Sequence, residues 1–227
     1  MFLKRQYTPE IMDDFSITDE RIDKALIELN IINKYLGGNS TSIDGIKKIT
    51  NKIPEKFFIR ILDIGAGGSN LKNVIRSNID IDVQIVNVDI NIQACRFSKN
   101  KFPELNVVCS DAFLLPFGKE SFDIVHVSLF LHHFKEDELK YLLNSFLEFA
   151  KYGIVINDLQ RSVAALAGIK LLTMFFSKSE FVKNDGPLSV RRGFKKSELL
   201  ALLDKLNISG YKITWRWAFR WLVIIYK

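Results

Sequence analysis

Apolar residues recur along the chain with two different periods. Between positions 18 and 36, Ile22, Ala25, Leu26, Leu29, Ile32 and Leu36 fall at helical spacing. Thr18 stands where a helix N-cap is expected, Asp19 and Glu20 suit the positive end of the dipole, and Gly37-Gly38 closes the pattern. A shorter helical pattern follows at Ile43, Ile46, Ile49 and Ile53 and stops near Pro54. From residue 57 the period changes. Short apolar runs at 57–64, 83–88, 106–109, 122–129 and 152–157 read as buried strands. Helical patterns lie between them at 91–100 and 136–150, the second carrying Leu139, Leu142, Leu143, Phe146, Leu147 and Ala150. Strands alternating with helices predict a doubly wound parallel sheet. Residues 159–194 then interrupt the alternation. Their first half reads as an apolar helix and positions 183–187 as a loop. A further helix opens at Ser197-Glu198, and two closing strands at 211–217 and 220–226 are joined by a tight turn at Ala218-Phe219.

Composition narrows the picture modestly. A length of 227 residues suits one α/β domain with additions: an N-terminal helical lid over 1–56, then a domain over 57–227 with an insertion at about 159–194. Hydrophobic residues make up 48% and charged residues 26%, enough for a sizeable core. The net charge of +6 comes from dispersed lysines with no run of five basic residues, so nucleic acid is not the favoured partner. Two cysteines, Cys95 and Cys109, make no disulfide framework. The start Met1-Phe2-Leu3-Lys4-Arg5-Gln6 lacks a signal-peptide core, and the longest apolar stretch, 163–176, is too short to span a bilayer. A cytoplasmic protein is expected, with oligomeric state left open.

Four short motifs carry the chemistry. Asp63-Ile64-Gly65-Ala66-Gly67-Gly68 ends the first strand, where glycines let a ligand approach the backbone. Alone it is equally a tight turn or a dinucleotide loop. Asp89 ends the second strand in Val88-Asp89-Ile90, where a carboxylate can accept from a ribose diol or cap the next helix. Ser110-Asp111-Ala112 ends the third, where an acid can meet an adenine amino group beside a small residue. Asn70 stands at the sixth position of the glycine motif, where a dinucleotide fingerprint has Gly or Ala, so a nicotinamide-dependent oxidoreductase is the weaker alternative. The fourth motif runs from Phe122-Asp123-Ile124-Val125 to Leu131-His132-His133-Phe134.

In this order the motifs resemble the class I S-adenosylmethionine-dependent methyltransferases, in particular the branch of ubiquinone and menaquinone methyltransferases. The resemblance covers roughly 59–158. It implies a Rossmann-like, doubly wound seven-stranded sheet with an antiparallel edge, S-adenosylmethionine as cofactor and S-adenosylhomocysteine as product. It also implies roles. Asp63, Gly65, Ala66 and Gly67 line the methionine part, Asp89 holds the ribose hydroxyls and Ile90 packs on adenine. Asp111 and Ala112 meet the adenine edge, and Ser128 lies near the sulfonium. The glycine loop has no basic residue for the cofactor carboxylate, which leaves backbone amides or Arg5.

An acceptor that must lose a proton needs a base. His132, His133 and Asp158 are the candidates, each against a structural alternative: a loop-shaping hydrogen bond for the histidines, and a cap or an ion pair with Arg161 for Asp158. His126, inside a strand, reads as a satisfied core residue. No metal is implied, since adjacent histidines alone are no ligand set. Arg191-Arg192 could meet an acidic acceptor group or surface acids. The insertion, with Val163, Leu166, Ile169, Leu172, Met174, Phe175 and Phe176, offers a roof for a small lipophilic or aromatic acceptor, a packing helix, a dimer surface or a membrane-surface contact. Residues 188–194 and 215–221 look similar to methyltransferases of polyketide and phenolic-lipid pathways. Methylation on oxygen is favoured, and a non-catalytic cofactor-binding partner is the remaining alternative.

Overall fold

A computed structural model describes residues 4–54, 58–68 and 70–227. Phe57, where the first strand was expected to start, Ser69 beside the glycine motif, and Met1, Phe2 and Leu3 lie outside them. Seven strands form one sheet: β1 (Phe58–Ile64), β2 (Asp82–Asp89), β3 (Asn106–Cys109), β4 (Phe122–Ser128), β5 (Ala150–Leu159), β6 (Tyr211–Arg216) and β7 (Arg220–Tyr226). Their order is β3-β2-β1-β4-β5-β7-β6. The first five are parallel, and β7 runs antiparallel between β5 and β6. Order reverses at β1 and β4, and this switch point places the carboxyl ends of β1 and β4 side by side, Asp63 opposite His126 and Ile64 opposite Val127.

Eight helices accompany the sheet: α1 (Glu20–Tyr35), α2 (Gly38–Thr50), α3 (Leu71–Arg76), α4 (Ile92–Lys101), α5 (Glu136–Phe149), α6 (Val163–Phe176), α7 (Glu180–Arg192) and α8 (Lys196–Lys205). One face of the sheet packs on α5 and α8 through Leu142, Leu143, Phe146, Leu199 and Leu203. The other packs on α2 and α3 through Ile43, Ile46, Ile49, Leu71 and Ile75. A third cluster joins α1, α4 and α7 through Ile22, Ala25, Leu26, Phe97, Phe181 and Val182. That cluster seats α1 over the carboxyl end of the sheet.

Three details depart from the expected pattern. Asp19, not Thr18, caps α1, its side chain accepting from Arg21 N at 3.0 Å. Gly37, at φ 72°, ends α1 as expected, but the chain turns there directly into α2, which starts at Gly38 instead of near Ile43. The stretch 183–187, expected as a loop, lies within α7 despite Gly186 and Pro187. Packing overrides local propensity there. Phe181, Val182 and Val190 are buried, and the bare Gly186 lets Ile169 of α6 approach closely. Asp185 on this helix accepts from Ile11 N at 2.8 Å and Met12 N at 3.0 Å. The helix thereby holds the N-terminal segment.

Candidate active site

The carboxyl ends of β1, β2 and β4, with α1, the start of α2 and α7, enclose a cavity of about 600 Å³. The glycine loop forms one wall. Gly65 and Gly67 sit at φ 65° and 53°, and a Cβ on Gly65 would lie 2.3 Å from the Phe130 ring. Only glycine gives that loop its close approach to the cavity. Asp89 accepts from Gly67 N at 2.7 Å and from Asn91 N at 2.9 Å, so it braces the loop while facing the cavity. Burial pushes its carboxyl above the ordinary value, against the two backbone bonds. Asp111 accepts from Phe113 N at 2.9 Å, with Ala112 buried beside it. Gly65, Ala66, Gly67, Asp89, Ile90, Asp111, Ala112 and Ser128 all line this one cavity.

Asp63 is buried at the wall, with one oxygen 2.6 Å from His126 Nδ1 and the other without a partner among the described residues. His126 Nε2 lies 2.8 Å from Ser42 Oγ, which accepts from Asn157 Nδ2 at 3.0 Å. The Ser42 hydroxyl proton is therefore directed to His126 Nε2, and Nδ1 donates to Asp63. Asn157 Nδ2 also donates to Gly38 O at 2.9 Å. His126 is thus held in a polar row beneath α2.

The opposite corner holds the base candidates. His132 Nδ1 lies 2.7 Å from Asp158 Oδ1, and Asp158 also accepts from His132 N and Leu159 N. His132 Nε2 is buried without a hydrogen-bond partner, 3.7 Å from Glu10 Oε1. Burial disfavours the charged imidazolium, but Asp158 and Glu10 outweigh it and the His132 pKa is pushed up to about 9. His133 Nδ1 lies 2.8 Å from Asp13 Oδ1. Asp13 is held well below the usual carboxylate range: burial would raise it, but His133 and Arg192 dominate. Glu10, His132 and His133 each offer a ligand atom within 4.8 Å of the others.

Several expectations are corrected here. Arg5 does not reach the glycine loop. Its guanidinium donates to the carbonyls of Arg192, His132 and Phe134 and lies over the Phe194 ring, tying down the N-terminal segment. Arg161 does not pair with Asp158; it binds Glu198 at 2.6 Å and Gly193 O at 2.6 Å. Arg192 is no surface cation, being buried against Asp13 and Glu10. Sequence reasoning also missed Glu10, Asp13, Asn33, Ser42 and Arg220, all of which line the cavity. They come from residues 10–13, the facing ends of α1 and α2, and the start of β7, whose approach to the site is set by tertiary packing.

No curated protein matches the chain by sequence. Residues 62–151, which carry the glycine loop, Asp89, Asp111 and the two histidines, match a family described as a methyltransferase domain. The chain has the Rossmann-like fold of the S-adenosylmethionine-dependent methyltransferases, and its central stretch matches their domain. Among solved structures, the chain is similar to the plantazolicin methyltransferase BpumL in complex with S-adenosylhomocysteine. The identity is 17%, the TM-score 0.66, and the match covers 96% of this chain and 98% of that one. It is similar to human N-acetylserotonin methyltransferase in complex with S-adenosylmethionine at 15% identity and TM-score 0.66, covering 98% of this chain and 60% of that one. It is also similar to a methyltransferase from Aquifex aeolicus at 13% identity and TM-score 0.61, covering 89% and 96%. The cavity fits S-adenosylmethionine on its own chemistry: a glycine loop at positive φ whose Gly65 admits no Cβ beside Phe130, and the unpartnered buried oxygen of Asp63. Among the described residues, no helix is long and apolar enough to cross a membrane.

Proposed function

We propose that the enzyme methylates a hydroxyl oxygen of a small lipophilic or aromatic acceptor, with residues 1–56 and the 159–194 insertion acting as its lid. Bound S-adenosylmethionine supplies an activated methyl on a sulfonium sulfur. Asp63, Gly65, Ala66 and Gly67 would bind its methionine part, Asp89 the ribose hydroxyls, and Ile90, Asp111 and Ala112 the adenine, with Ser128 near the sulfonium. The protein's task is then to align an acceptor oxygen and exclude water. Met12, Phe15, Phe130, Phe134, Ile169 and Val190 give the acceptor end of the cavity an apolar lining.

One observation carries the choice of oxygen. His132 lies at the cavity wall with Asp158 fixing its Nδ1, while its Nε2 stands 3.7 Å from Glu10 Oε1, beyond hydrogen-bond distance. A histidine oriented by a carboxylate, with no hydrogen bond on its second nitrogen, is the arrangement that takes a proton from a hydroxyl. His133, bonded to Asp13, would shape the same corner and hold the acceptor. Because the His132 pKa lies at about 9, its proton-accepting form is scarce at neutral pH, and kcat should climb between pH 7 and 9.

The test is turnover of alkylated phenols with S-adenosylmethionine, compared between the wild type and His132→Asn. Loss of kcat, with S-adenosylhomocysteine binding kept and the rising pH limb flattened, is expected. An unchanged pH profile in His132→Asn refutes the base assignment. Asp89→Ala should weaken S-adenosylhomocysteine by about 1–3 kcal/mol, the scale of lost charge-assisted hydrogen bonds. Unchanged affinity counts against the cofactor placement.

A further inference from the structure

The enzyme contains a buried cation with no carboxylate in contact among the described residues, Asp158 acting on it only through space. Arg220 opens β7 at 2% exposure, and no carboxylate among the described residues lies within ion-pair distance of it. Its partners are neutral: Leu36 O at 3.3 Å from Nε, Asn157 Oδ1 at 3.3 Å from Nη1, and Asn33 Oδ1 at 2.8 Å from Nη2. A guanidinium carries five N–H donors. Three are spent, which leaves one on each terminal nitrogen, the fork that receives a carboxylate. A buried charge with no opposite charge in contact is costly, so its retention points to a partner that arrives from outside.

Arg220 lines the same cavity as the glycine loop, together with Asn33, Gly38, Asn39 and Ser42. Gly38 starts α2, a 13-residue helix whose N-cap Gly37 supplies no side-chain bond to the free amides. The positive end of that helix therefore faces the cavity beside Arg220. Across the polar row formed by Asn157, Ser42 and His126 lies the unpartnered oxygen of Asp63. The corner thus shows an anion-seeking group at one end and a free anionic oxygen at the other, which suits an α-amino acid.

We infer that Arg220, with the first turn of α2, holds the carboxylate of the cofactor's amino-acid end, the role for which the glycine loop has no basic residue. This rests on the cofactor placement proposed above. The test compares two ligands by calorimetry: S-adenosylhomocysteine, which has the amino-acid end, and methylthioadenosine, which lacks it. Arg220→Met should weaken S-adenosylhomocysteine by about tenfold or more and leave methylthioadenosine within about twofold. Arg220→Lys should retain part of the affinity. Unaltered methylthioadenosine binding shows that the fold is intact. If Arg220→Met does not fold, Asn33→Asp sets a carboxylate against the guanidinium and should likewise weaken S-adenosylhomocysteine alone. A parallel fall for both ligands, or no fall for either, overturns the assignment. Wild-type enzyme that binds neither ligand refutes the cofactor placement itself, and the Arg220 assignment falls with it.

Discussion

Arg192→Met should release the N-terminal segment from the body of the enzyme. Arg192 is 4% exposed and donates to Asp13 Oδ2 at 2.6 Å, to His133 O at 2.9 Å and to Glu10 Oε1 at 3.4 Å. Methionine preserves most of the stem but removes the guanidinium from both carboxylates, leaving His133 beside Asp13 and His132 beside Glu10. Removing one partner of a buried ion pair costs about 3–5 kcal/mol, because the other charge is left uncompensated. Glu10 is nearly inaccessible at 8%, whereas the Asp13 side chain is 26% exposed and can regain water, so we expect the lower end, about 3 kcal/mol. These contacts join residues 8–13 to α7, so the loss should be a local opening rather than global unfolding. Hydrogen exchange at the amides of Ile11 and Met12, which donate to Asp185, reads this directly. An opening cheaper by about 3 kcal/mol corresponds to exchange roughly 100-fold faster at those two amides. Adding Glu10→Gln and Asp13→Asn removes the two carboxylate charges and should recover about half of the loss. Exchange faster by less than about fivefold in Arg192→Met, or no recovery in the triple variant, refutes the reasoning.

Three further outcomes are expected. Gly65→Ala places a Cβ 2.3 Å from the Phe130 ring at φ 65°, and should cost about 1–3 kcal/mol in urea unfolding and abolish cofactor binding by calorimetry. The His132 pKa is raised from 6.5 to about 9 in the folded state, so its contribution to stability is full below pH 6.5 and is lost as pH rises through 9. The urea midpoint should fall over that window in wild type and less in His132→Asn. Phe146→Ala, at a fully buried position between α5 and the sheet, should cost about 3–5 kcal/mol without altering the pH dependence of turnover.

The central parallel strands were legible because β1, β4 and β5 are mostly buried and read as apolar runs, and a chemically distinctive residue stands at or near the carboxyl ends of β1, β2 and β4: Asp63, Asp89 and Ser128. Helices with one apolar stripe, such as α5 with Leu139, Leu142, Leu143 and Phe146, were legible from the same physics. What local pattern could not show was the middle of α7. Gly186 and Pro187 argue for a loop, and only the packing of α6 and the docking of Ile11 and Met12 on Asp185 make a helix there. Arg192 and Arg220 were opaque for the same reason. Nothing in the sequence near either residue distinguishes a buried cation from a surface one, because the groups that bury them come from residues 8–13 and 33–36.

The tether made by Arg5 has a consequence for the order in which the enzyme becomes competent. Its acceptors lie 127, 129 and 187 residues downstream, at His132, Phe134 and Arg192. The glycine loop, Asp89 and Asp111, in contrast, sit within the contiguous stretch from β1 to the turn just after β3. On a chain emerging from the ribosome, the cavity wall made by the glycine loop, Asp89 and Asp111 precedes every carbonyl partner of Arg5, and the segment around Arg5 docks only after α7 has been synthesised and folded.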